Sequence, residues 1–88
     1  MDKHVITEHA LFQMQRRGIS ESNLRSVIEK PERIEEVRPG RMVLQSKIAS
    51  GKPQKTYLVR VIIDFEKPIP EVVTVYRTSK IDKYGGWE

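Results

Sequence analysis

Apolar residues recur at helical spacing in two short stretches near the start of the chain, then at alternate positions through most of the second half. In the first stretch Ala10, Leu11 and Met14 form an apolar stripe. Thr7 is placed to cap the helix, Glu8 sits near the positive end of its dipole, and Gly18 stands where a left-handed residue ends it. The pattern predicts a helix over roughly Glu8–Arg17. Ser20 caps a second helix over roughly Glu21–Lys30, with Leu24, Val27 and Ile28 as its buried positions. Pro31 stops it, because a residue before proline is pushed out of the helical region.

The later segments read as strands. Ile34–Arg38 and Arg41–Ile48 flank Pro39-Gly40, a tight-turn pair, while Lys55–Asp64 and Glu71–Thr78 are rich in Val, Ile, Thr and Tyr. Alternation places Tyr57, Val59, Val61 and Ile63 on one face of the third strand, Met42, Leu44 and Ile48 on one face of the second, and Val73 and Val75 on one face of the fourth. The expected architecture is a single α+β domain over residues 1–88. An N-terminal αα-hairpin packs on one face of a four-stranded antiparallel sheet, and residues 79–88 form a tail. If the hairpin covers those apolar rows, the opposite face shows Arg41, Lys47, Arg60 and Tyr76 together.

Composition narrows the classes. With 88 residues the chain has room for one core, and 38% hydrophobic with 32% charged residues suits a folded domain. There is no cysteine, and the two histidines stand away from any carboxylate cluster, so neither a metal site nor a cofactor is expected. No apolar run approaches the ~20 residues of a membrane span, and the cytoplasm is the expected compartment. A formal net charge of +4 favours acidic partners, nucleic acid among them. Phosphate-binding loops, dinucleotide fingerprints, zinc-protease motifs and nucleophile elbows are all missing.

Two clusters remain as candidate chemistry. On a helical wheel His9, Gln13 and Arg17 run up one side of the first helix beside the Ala10/Met14 stripe, a half-buried place where a histidine can be oriented and tuned. His9 then suits a general base or phosphate contact with Arg17 as its charged neighbour. The plainer alternative is a histidine bonded within the fold and an arginine reaching a sheet carbonyl or carboxylate. Tyr76-Arg77 closes the last strand, where a tyrosine can stack on a base and an arginine can grip phosphate. A half-buried sheet tyrosine beside a solvated arginine is its plainer counterpart. Lys80, Lys83, Tyr84 and Trp87 give the tail a mixed basic and aromatic character.

Ile6-Thr7-Glu8-His9-Ala10, followed by Met14 and Arg17-Gly18-Ile19-Ser20, resembles the opening "I-T-x-H-A-x-x-R-M-x-x-R-G-I-S" of a family of small bacterial domains of unknown function. Val73-Thr74-Val75-Tyr76-Arg77 looks like the closing strand of that family, and Thr78–Tyr84 is similar to the tail of one subset. Gln13 stands where the family usually has arginine. More distantly, the family resembles toxins of the RelE, ParE and BrnT kind, many of them metal-independent ribonucleases neutralised by an antitoxin. The resemblance implies RNA and an antitoxin-like protein as partners, and His9, Arg17 and Tyr76 as catalytic positions.

Three functions therefore stay open at this level. One is a metal-free ribonuclease using His9, Arg17 and Tyr76. Another is a non-catalytic module that holds nucleic acid on Arg41, Lys47, Arg60, Arg77 and Lys80. The third is a protein-binding domain that offers the edge strand Ile34–Arg38 to a partner.

Overall fold

A computed structural model describes residues 3–84. Its elements are β1 (Val5–Ile6), α1 (Glu8–Arg17), α2 (Glu21–Glu29), β2 (Arg33–Arg38), β3 (Arg41–Ser50), β4 (Lys55–Asp64), β5 (Glu71–Thr78) and a 3₁₀ turn over Ile81–Tyr84. The strands form one sheet in the order β1-β5-β4-β3-β2. The expected four-strand antiparallel sheet is thus a five-strand mixed one, because β1 adds to β5 in parallel through Val5↔Glu71 and Ile6↔Val72. Two residues are too few to show a strand's alternation, so only tertiary pairing reveals β1. The remaining strands run antiparallel, as their short connections require.

Thr7 explains how α1 is seated. Its hydroxyl accepts from Ala10 N–H at 3.2 Å as the helix cap and donates to the Val72 carbonyl at 3.0 Å. Gln13, one face further along, takes the Val75 N–H on its Oε1 at 3.1 Å. A glutamine thus satisfies a backbone donor on β5 that no strand pairs, and α1 lies along β5 rather than over the sheet centre. That seating leaves the Leu11 and His9 side of the helix in solvent. Leu11 is 38% exposed, and His9 is exposed rather than half-buried as the wheel implies.

The main core lies between the helices and the sheet. Ala10 and Met14 of α1, and Leu24, Val27 and Ile28 of α2, meet Leu44, Val59, Val61, Ile63, Val72 and Val75. Val72 replaces Val73 in this set because β5 carries a bulge. Ile62 pairs with Thr74 and Ile63 with Val72, so Val73 is the extra residue and the alternation slips there by one.

The opposite sheet face is less open than expected. Leu58 and Gln45 are fully buried there and Val43 is 3% exposed. Part of the cover is the 3₁₀ turn after β5. Tyr84 lies against Arg60 and Tyr76, and its carbonyl accepts from Arg33 Nη1 at 3.2 Å on β2. No helix among the described residues is long and apolar enough to cross a membrane.

Candidate functional site

Gly18 closes α1 in a left-handed conformation at φ 66°, ψ 33°, and the Ile19 N–H returns to the Met14 carbonyl at 2.9 Å. Arg16 and Arg17 fill the last helical turn, where cations favour the negative end of the dipole. A Cβ at Gly18 would stand 3.7 Å from Arg77 Nη2, so β5 brings this guanidinium within contact distance of the helix end. The same guanidinium lies over the Tyr57 ring, 4.3 Å from its centroid, and Lys55 Nζ stands 5.9 Å from that ring. Val59 and Val75 point to the helices, so alternation places Tyr57 and Arg77 on that same face.

These residues enclose an open groove of ≈ 710 Å³ between the end of α1 and the end of β5. Arg16, Arg17, Arg77 and Lys80 line it with Tyr57, Thr78 and Ser79, and no carboxylate takes part. None of the four cations forms an ion pair among the described residues. Four cations at one concavity with no counter-charge raise the local potential well above what the net charge implies, and they attract a polyanion. The Lys80 N–H bonds the Thr78 hydroxyl at 3.0 Å, which bends the chain around the groove's rim.

The residues singled out from the sequence fall into separate places. Arg17, Arg77 and Lys80 meet in the groove. His9 sits in the first turn of α1, eight residues and therefore ~12 Å along the axis from Arg17. Tyr76 points to the opposite sheet face, where Arg60 Nη1 donates to its hydroxyl and Arg60 Nε donates to Gln45 Oε1 at 3.0 Å. The Arg60 guanidinium lies 4.3 Å from the Tyr84 ring centroid and 5.5 Å from that of Tyr76. Burial and then a hydrogen bond with Tyr84 push the Tyr76 phenol above its ordinary value of 10.0, so it is protonated throughout the neutral range. Arg60 and Tyr76 thus hold each other, the tail and a buried glutamine.

Arg41 forms an ion pair with Asp64 at 3.3 Å across the β3–β4 ladder, and Lys47 stands further along β3. With Arg60 held by Tyr76 and Gln45, two of the three cations expected on this face are engaged within the fold. Sequence reasoning missed Tyr57 and Arg16 as groove residues. The parity of Tyr57 with Arg77 was readable, but only the fold shows that the end of α1 lies beside both.

A family model described as a domain of unknown function, DUF4258, matches residues 6–77 and so includes Arg17, Tyr57 and Arg77 but not Lys80. No curated protein and no solved structure matches the chain.

Proposed function

We propose that this chain, which belongs to the DUF4258 family, binds single-stranded RNA by its phosphate backbone in the groove between α1 and β5. The observation that carries the reading is the groove itself, with four cations, no carboxylate and an aromatic ring on its wall. Arg17 and Arg77 each offer a planar donor fork that suits phosphate oxygens, and Arg16 and Lys80 extend the positive track on either side. Tyr57, already stacked with Arg77, gives a base a flat apolar neighbour. The toxin-like opening of the chain favours RNA over DNA as the strand to test first.

The same two arginines would stabilise a charged phosphorane in a metal-free cleavage, but that chemistry also needs a group to take the 2′-hydroxyl proton. The groove lining holds no histidine or carboxylate, and His9 stands ~12 Å from Arg17 along the helix. Binding without cutting is therefore the function the geometry favours.

A titration of labelled single-stranded RNA in EDTA over a salt series tests this. Four phosphate contacts at ~0.7 each predict that log K falls against log [salt] with a slope of roughly −3, while the RNA stays intact. A flat salt response would remove the phosphate-binding reading. Discrete cutting in EDTA would replace it with the ribonuclease.

A further inference from the structure

We propose that the outer edge of β2 and the apolar groove beside it dock an extended, basic-flanked apolar segment of a different protein chain. The helices pack on β5, β4 and β3, and the part of their sheet face toward β2 stays open. Ile34, Met42, Leu44 and Phe65, with Gly40, line a groove of ≈ 390 Å³ there, and every side chain in it is apolar. Ile34 is 54% exposed and Phe65 41%, so two large apolar side chains meet water at one place. β2 is the last strand of the sheet on this side, which leaves backbone donors and acceptors along the groove's border. An added strand would pair with that edge while its alternate side chains enter the groove.

Charge selects the occupant. Glu36 lies two residues beyond Ile34 on the same face of β2. The Glu66 side chain crosses Gly40 so closely that a Cβ there would stand 2.4 Å from its Cγ. Neither carboxylate has an ion pair among the described residues. The nearby arginines stand on the other face of the sheet, where Arg33 pairs with Glu35 at 3.4 Å, Arg41 pairs with Asp64 at 3.3 Å and Arg38 lies opposite Arg41. The Glu66 N–H, then Arg41, with Arg38 adding its field, hold the Asp64 carboxyl below its ordinary range, so it stays ionised against these arginines.

A second copy of this chain fits poorly. Two-fold antiparallel pairing of β2 centred on Glu35 or on Glu36 sets that glutamate directly against its own copy, and like charges directly opposite destabilise a sheet. Lysine or arginine flanking an apolar strand meets Glu36 and Glu66 instead. The site also lies toward the far end of β4 from the Tyr57 wall of the cationic groove, four to eight residues or roughly 13–26 Å along the strand. A docked segment therefore leaves RNA binding unobstructed.

The test is a displayed library of random segments of about twelve residues, selected on the purified domain with counter-selection on Ile34→Asp. Ile34 is exposed, so this variant should keep its fold, and a thermal melt checks that. We expect enrichment of segments that alternate apolar residues and carry Lys or Arg at their ends. Peptides made from them should bind at least ~10-fold more weakly to Ile34→Asp and several-fold more weakly to Glu36→Lys/Glu66→Lys, while RNA affinity stays within about twofold. No enrichment over the counter-selected variant, or enrichment of acidic segments, would overturn the proposal. So would dimerisation of the wild type that Ile34→Asp abolishes, since the occupant would then be a second copy.

Discussion

Replacing Arg17 and Arg77 together by alanine is expected to lower affinity for single-stranded RNA by about 10²-fold at moderate salt. A charge-assisted bond from arginine to phosphate is worth ~1.5–3 kcal/mol, and two at the lower end would amount to ~3 kcal/mol, or two decades in Kd. Arg17 is exposed and Arg77 has no ion-pair partner among the described residues, so the fold should tolerate the change. The matching control is Arg25→Ala/Lys30→Ala, which removes two charges from α2 and its end, away from the groove. If binding depended only on net charge, both double variants would lose affinity equally. Fluorescence anisotropy on one RNA at one salt concentration separates the cases, with the groove variant falling by about 10²-fold and the control by only a few-fold.

Leu58→Ala should cost about 2–5 kcal/mol of stability, the range for deleting a fully buried leucine side chain. Leu58 lies on the sheet face away from the helices, between Lys47 of β3 and Thr78 of β5. On an open sheet face the same substitution would change stability by ~0.5 kcal/mol or less. Its magnitude therefore reports whether that face carries a packed layer. A domain of this size has roughly 5–15 kcal/mol in total, so the predicted loss moves the urea midpoint by about 1 M or more. A midpoint within a few tenths molar of the wild type would mean that the face is open in solution. Ile34→Ala, at a residue 54% exposed, serves as the small-effect reference.

The elements that alternation and capping identify are those whose signal is local. Thr7, Gly18, Ser20 and Pro31 mark the two helices in the chain itself, and the cap atoms stand where their residue types imply. β3 and β4, each ten residues long, follow from apolar residues at alternate positions, Met42 and Leu44 in one and Val59, Val61 and Ile63 in the other. What the sequence conceals arises from long-range contact. β1 is too short to have a period, and Val73 reads as a core position until the bulge shifts it. Leu11 belongs to an apolar stripe whose outer member finds no partner, because α1 lies along β5, toward one side of the sheet rather than over its centre.

The candidate site divides in the same way. Arg17 and Arg77 were visible as cations at element ends, where their types and positions already suggested phosphate. The meeting of residues 17, 57 and 77 depends on α1 lying along β5, which the Thr7 and Gln13 bonds to β5 backbone establish. Tyr76 looked like Arg77's partner because the two are neighbours in sequence. Adjacent residues on a strand face opposite ways, and Tyr76 is engaged with Arg60 and Tyr84 on the other side. Gln13, which departs from the family's usual arginine, has a structural task as the acceptor for Val75 N–H.

The most direct measurement is an amide chemical-shift titration of the labelled domain with single-stranded RNA in EDTA. If RNA lies in the groove, shifts concentrate at Gly18, Tyr57 and Arg77–Lys80, with the β2 edge and the Arg60–Tyr76 face unmoved. Shifts centred on the Arg60–Tyr76 face, or none at all, would contradict it.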